Sequence, residues 1–140
     1  MWLYKGEEFT EDLIGNSFGF VYLITNLLNG RKYLGKKLFT KASRKQTKGK
    51  IKKIRVTSDW KNYWSSSDTL KEDVKNLGES NFSREILHLC KTRSEASYWE
   101  TYEIFVRQAL IDESFYNQWV SARIRKEHLK GLFLKPDTSI

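Results

Sequence analysis

Cysteine and histidine are nearly absent: the 140-residue chain has one Cys, Cys90, and two His, His88 and His128. A single thiol excludes an internal disulfide and any multi-cysteine zinc site. With the histidines far apart, a bound metal has to rest mainly on carboxylate oxygens, which suits Mg²⁺ or Mn²⁺ better than zinc. One Pro and eight Gly, beside 39% hydrophobic and 30% charged residues, exclude a low-complexity or disordered chain. No apolar run reaches the length of a membrane span, and Met1-Trp2-Leu3-Tyr4-Lys5-Gly6-Glu7 lacks the basic and apolar regions of a signal peptide. The expectation is a cytoplasmic protein without a membrane partner. Residues 1–140 are long enough for a single domain that buries roughly 70% of the surface of its unfolded chain.

Acidic residues are missing from one stretch. Ten of the 25 Lys and Arg lie between Lys36 and Arg55, where there is no Asp or Glu, so the remaining chain carries 15 basic against 17 acidic residues. The whole net charge of +8 therefore sits in one internal block at about 36–57. A focused patch of this kind suits a phosphate backbone, whose counterions it displaces, although a solvated charged loop has the same composition. The block nominates Lys37, Lys45, Lys50, Lys52, Lys53 and Arg55 as nucleic-acid contacts. Its sparse apolar residues suggest a short helix at 37–46 and an exposed strand at 51–56, with Gly49 between them.

What is present before the block is a hairpin. Phe20-Val-Tyr22-Leu-Ile-Thr and Lys32-Tyr33-Leu34-Gly35 flank Asn29-Gly30, and β-branched and aromatic runs around Asn-Gly are a strong local turn signal. Period two puts Phe20, Tyr22 and Ile24 on one face and Val21 and Leu23 on the other. Taken locally, Tyr22 and Tyr33 are core tyrosines of an ordinary hairpin. Trp2-Leu3-Tyr4 suggests a short edge strand. Asp68 to Leu77, with Leu70, Val74 and Leu77 on one stripe and Gly78 following, reads as an amphipathic helix. Asn81 to Cys90 reads as a strand with Ile86, His88 and Cys90 on one side, His88 and Cys90 in structural roles. Thr92-Arg93-Ser94-Glu95 has the form of a capping box that opens a helix to about Ile111. Its apolar stripe is Ala96, Trp99, Tyr102, Val106 and Ala109. On its own, Glu100 beside that stripe is no more than a surface carboxylate, and Glu103 with Arg107 an exposed ion pair. A basic helix is expected at about 121–130.

Taken together these pieces resemble the GIY-YIG nuclease family. Ten residues separate Tyr22 from Tyr33-Leu34-Gly35, the spacing between the two tyrosine motifs of that family, with Phe20 in place of its first glycine and Gly19 before it. Leu77-Gly78, Asn81-Phe82 and Glu85-Ile86-Leu87 resemble a phrase of small free-standing phage and intron-associated, homing-like members. Glu100 matches the family's metal-binding glutamate and Asn117, after Phe115-Tyr116, its late asparagine. Lys36 matches a lysine of the repair-nuclease branch. Family members carry an Arg about ten residues after the second Tyr and a His or Tyr one helical turn later. Arg44 lies near the first place and Lys48 occupies the second, with Arg55 and Tyr63 as rivals if the basic block is an insertion.

The resemblance implies an α+β fold with a small three-stranded, mainly antiparallel sheet flanked by helices. It also implies a Mg²⁺-dependent (or Mn²⁺-dependent) endonuclease acting on double-stranded DNA. In that reading Tyr22 is the base, Tyr33 orients water or phosphate, Arg44 clamps phosphate, Glu100 holds the metal and Asn117 keeps the site's geometry. Lys36 favours the Tyr22 phenolate. Two readings compete with it: a non-catalytic nucleic-acid-binding module, and a nuclease directed at RNA or branched junctions.

Overall fold

The computed structural model describes residues 1–121 and 123–131. Seven strands and two helices follow in the order β1 (Trp2–Tyr4), β2 (Glu7–Glu8), β3 (Gly19–Asn26), β4 (Lys32–Leu38), β5 (Thr40–Thr47), β6 (Lys50–Thr57), α1 (Asp68–Leu77), β7 (Phe82–Cys90) and α2 (Arg93–Val106). The fold is α+β, but the sheet is five-stranded, in the order β2-β1-β7-β3-β4, not three-stranded. The two additional strands come from the N-terminus: β1 lies parallel to β7 and turns back antiparallel into β2. Trp2 explains why this segment docks. Its indole is buried against Phe20 and Tyr22 and donates to the Trp60 carbonyl at 2.8 Å.

The hairpin forms as its sequence predicts. Asn26 is buried and accepts from the Leu28 amide, Asn29 accepts from the Arg31 amide, and Gly30 turns at φ +76°. One face of β3 presents Phe20, Tyr22 and Ile24 to an aromatic core closed by Trp60, Phe39 and, from α1, Leu70 and Val74. The opposite face presents Val21 and Leu23 to α2 through Ala96 and Ile104. The sheet is thus covered by α1 and its preceding loop on one side and α2 on the other.

Helix α1 spans the expected residues, with Ser67 accepting from the Leu70 amide at its start. Helix α2 starts at the expected capping box, where Thr92 accepts from the Glu95 amide and Glu95 from the Lys91 amide. It stops at Val106, short of Ile111, because Gln108 enters the left-handed region at φ +54°. Its buried positions are Ala96, Glu103 and Ile104, whereas Tyr102 and Val106 of the expected stripe are exposed.

Strand alternation fails in β7. Val21 pairs with His88 and Tyr22 with Ile86, so Leu87 is an extra residue at a β-bulge. Ile86 therefore joins the aromatic core, while His88 and Cys90 turn toward α2. His88 Nε2 donates to the Glu103 carboxylate at 2.8 Å, and Arg107 donates to the same carboxylate at 2.7 Å. The Glu103–Arg107 pair expected on the surface is a buried carboxylate shared with His88.

The basic block contains no helix at 37–46. Strands β5 and β6 form a separate two-stranded antiparallel ribbon, closed by Lys48 and Gly49 at φ +51° and +76°, the left-handed pair of a primed hairpin turn. At the C-terminal end, the helix expected at 121–130 is reduced among the described residues to one 3-10 turn at Lys126–Leu129. Ala122 and residues 132–140 lie outside the described residues. No described helix is long and apolar enough to cross a membrane.

Candidate active site

The site wraps around one edge strand. In β4, Tyr33, Gly35 and Lys37 face the aromatic core, and Leu34 and Lys36 face α2. A cavity of about 680 Å³ spans both sides of that edge and is lined by Tyr22, Tyr33, Lys36, Ser66, Glu100 and Asn117 among others. Five of the six residues expected at a catalytic centre are thereby brought together from β3, β4, α2 and the segment after it.

Tyr22 reaches the cavity through a gap left by glycine. Gly35 is its partner across the β3–β4 pair. A Cβ at 35 would collide with the Tyr22 hydroxyl and stand 2.9 Å from the Tyr33 ring. The Tyr22 ring is 1% exposed, yet its oxygen is delivered to the edge of the sheet. Burial pushes its phenol well above the ordinary tyrosine value, and the nearby Tyr63, Tyr33 and Glu100 push in the same direction.

A third tyrosine completes the group. The Tyr63 ring stands 6.0 Å from that of Tyr22, edge to face, and its nearby hydroxyl helps to raise the Tyr22 phenol. Ser66 is hydrogen-bonded to Tyr33 at 3.1 Å, and its hydroxyl lowers the Tyr63 phenol. Burial raises Tyr33 and Tyr63 as well, partly offset by these neighbouring hydroxyls. Tyr63 was a rival candidate only, because nothing local distinguishes it from the packing aromatics Trp60 and Trp64. What places it is Arg84, a buried residue with no functional signal in its strand. Its guanidinium donates to the Lys61 and Tyr63 carbonyls at 3.1 and 2.9 Å and lies between the Trp2 and Trp64 rings. Burial lowers its pKa to about 10, so it remains a cation at neutral pH.

On the other side of β4, Glu100 is half-buried on α2. Burial raises its carboxyl above the ordinary range, opposed by the Lys36 ammonium and by a hydrogen bond from the Lys36 backbone amide. Lys36 itself donates to Ser97 Oγ at 2.6 Å. Its charge lowers the Glu100 carboxyl, whereas the groups around Tyr22, Glu100 among them, disfavour the phenolate.

Asn117 satisfies the edge. As the outermost strand, β4 has unpaired backbone groups on one side. The segment after α2 pairs with it at Lys32, and the Asn117 side chain then accepts from the Leu34 amide at 2.9 Å and donates to the Leu34 carbonyl at 2.8 Å. An amide side chain mimics the next strand residue there and leaves the adjoining Lys36 amide to Glu100.

Arg44 is not at this cavity. It lies exposed on the ribbon, paired with Lys53. Arg55 is closer to the site: with Lys37, Lys41 and Arg93 it lines a second groove that shares Lys36 with the cavity. Arg55 is held there by Thr40, through its hydroxyl and carbonyl. Lys37 is paired with Asp59 at 2.7 Å and lies over the Tyr63 ring. The remaining nominated contacts, Lys45, Lys50, Lys52 and Lys53, are exposed on the ribbon.

No three of His, Cys, Asp and Glu converge on a point among the described residues. Two carboxylates line the open cavity, half-buried Glu100 and exposed Asp68. That fits Mg²⁺, which keeps several waters and is held by one or two carboxylates together with substrate phosphates; Glu100, the more buried of the two, is the one that could hold it.

The model of the family "Putative endonuclease segE, GIY-YIG domain" matches residues 2–120. "Putative endonuclease segE" of Enterobacteria phage T4 is 34% identical over 101 residues, which are 71% of this chain and 40% of that protein. The chain thus matches about two fifths of the length of its curated relative. No solved structure matches significantly. With tyrosines, glutamate and asparagine gathered on one strand edge and the family model covering nearly all of its length, the chain belongs to the GIY-YIG endonuclease family.

Proposed function

We propose that this protein is a Mg²⁺-dependent endonuclease that hydrolyses phosphodiester bonds of double-stranded DNA, and that residues 1–140 act as one nuclease domain. The observation that carries the reading is the convergence of Tyr22, Tyr33, Glu100 and Lys36 on one cavity at the β4 edge, with Tyr63 packed against Tyr22 behind it. Hydrolysis needs an oriented water with somewhere for its proton to go, and compensation of charge on the phosphoryl and leaving oxygens.

Tyr22 is the proton acceptor in this reading, but not as a resident phenolate, because burial and its neighbours hold the phenol protonated. Its oxygen takes the proton of the attacking water as its own proton passes to the neighbouring Tyr63 hydroxyl, while Tyr63 releases its own toward solvent past exposed Ser66. Tyr33 orients the water or a phosphate oxygen from the other side of Ser66. Lys36, with Arg55 in the adjoining groove, supplies fixed positive charge to the phosphate. Asn117 holds the β4 edge so that the Lys36 amide stays on Glu100. Glu100 would hold a divalent ion, which would supply Lewis-acid compensation of the charge that develops on the phosphate.

Supercoiled plasmid, duplex oligonucleotide, four-way junction and RNA substrates, each with Mg²⁺ and with EDTA, test the reading. Mg²⁺-dependent nicking or cutting of duplex DNA, absent in EDTA, is expected. Retention of DNA with no cleavage in Mg²⁺ or Mn²⁺ would make the protein a binding module. Preference for RNA or junctions would overturn the substrate.

A further inference from the structure

The ribbon has two chemically different faces. In register, Ala42 opposes Arg55, Arg44 opposes Lys53 and Gln46 opposes Ile51; between these, Ser43 opposes Ile54, Lys45 opposes Lys52 and Thr47 opposes Lys50. Opposed residues share a face and successive pairs alternate. One face therefore carries Arg44, Arg55, Gln46 and an exposed Ile51 with a single lysine, Lys53, and the other carries Lys41, Lys45, Lys50 and Lys52 with Ile54, Val56 and the hydroxyls of Ser43 and Thr47.

Two of these pairings place like charges directly opposite each other, Arg44 with Lys53 and Lys45 with Lys52, an arrangement that destabilises an isolated ribbon. It is compensated when a polyanion lies along the ribbon. The ribbon packs as a sheet of its own and, with eight residues per strand, extends about 25 Å. A two-stranded ribbon of this size fits the DNA major groove, which is about 12 Å wide.

Resting on the reading of the protein as a DNA endonuclease, the geometry points to a division of labour within the ribbon: it enters the major groove with the Arg44–Gln46 face toward base edges and the lysine face toward phosphates. The residue types fit the two tasks. Planar Arg and Gln side chains make paired hydrogen bonds to guanine and adenine edges, and an exposed aliphatic such as Ile51 meets the thymine methyl, whereas Lys is a point charge suited to phosphate. The base-reading face also has the right connection to the chemistry. Ala42 and Arg55 of that face, with Lys41 of the other, line the groove that joins the catalytic cavity at Lys36, so DNA seated there continues toward Tyr22 and Glu100. Arg44, expected as a catalytic clamp, becomes a determinant of where the enzyme binds.

The test is selection of bound duplexes from a randomised pool by the full chain in EDTA, with anisotropy titrations at several salt concentrations. Arg44→Lys, which keeps the charge and loses the planar fork, and Gln46→Ala are each expected to relax discrimination at a base position about 5- to 150-fold. Lys45→Met with Lys52→Met is expected to weaken all sequences equally and to lower the salt slope by about two. Unchanged preference in Arg44→Lys and Gln46→Ala, or a wild-type protein that selects no sequence, overturns the division of faces while leaving the nuclease reading intact. A wild-type protein that fails to bind duplex DNA at low salt overturns both.

Discussion

Gly35 stands directly opposite Tyr22 in the β3–β4 pair, and the Tyr22 hydroxyl occupies the space that any side chain at position 35 requires. The buried tyrosine reaches the cavity only because its partner has no Cβ. Gly35→Ala therefore forces the Tyr22 ring back, at a cost of about 1–3 kcal/mol for overpacking. Melting should show that loss, and plasmid cleavage should fall with it. In a Tyr22→Phe background the same alanine should cost less stability, since an atom it meets has been removed; equal costs would separate the two residues.

Removing the hydroxyl of Tyr22 should lower kcat by about 10²- to 10⁴-fold, the usual contribution of a positioned acid or base, with little change in DNA binding. Tyr63→Phe should have a smaller effect on rate, because it removes the proton's next stop and not the group that touches water. It leaves the buried Tyr22 hydroxyl without that partner, at about 1–3 kcal/mol. Single-turnover rates and melting of the two variants separate these roles, and a Tyr63→Phe rate equal to wild type would remove Tyr63 from the relay.

Asn117→Ala should destabilise the β4 edge through loss of two hydrogen bonds to Leu34, each worth about 0.5–1.5 kcal/mol. Hydrogen exchange should reveal faster exchange at the Leu34 amide in the variant. Unchanged exchange there would contradict its role as a substitute strand residue.

Acid stability should report on Glu103. Burial alone raises its carboxyl, but the hydrogen bonds from His88 and Arg107 outweigh this and hold it below the ordinary value. A carboxyl depressed in the folded state contributes stability that is full above its unfolded value, about 4.3, and lost as pH falls through the lower folded value. Glu103→Gln should thus be less stable than wild type by about 1–3 kcal/mol at pH 7, the gap narrowing below about pH 4. A gap independent of pH would contradict this. The site's own support can be probed likewise: Arg84→Met should strand the Lys61 and Tyr63 carbonyls and loosen the Tyr63 loop.

Much of this was legible in the chain because the signals are local. The Asn29-Gly30 turn, the alternation of Phe20, Tyr22 and Ile24, and the Thr92–Glu95 cap each depend on neighbours a few residues away, and the tyrosine spacing with Glu100 identifies the family. The rest depends on distant partners. The ribbon has too few apolar residues for periodicity to distinguish strand from helix at 37–46, and its register is set by the Lys48-Gly49 turn. The bulge at Leu87 arises from pairing with β3, so His88 and Cys90 could not be placed relative to Ile86. Trp2 gains its docking site only when Trp60 is folded beside it, which is why the strand expected at Trp2–Tyr4 could not be joined to the sheet and β2 was missed. Tyr63 is selected by Arg84, 21 residues along the chain, and no spacing in the sequence signals that contact.

Cleavage of supercoiled plasmid in Mg²⁺ by wild type and by Glu100→Ala, with duplex binding measured in parallel, bears most directly on the cavity as a catalytic centre. The expected result is comparable binding and loss of cleavage in the variant. Unimpaired cleavage by a folded Glu100→Ala protein would contradict the assignment of this site.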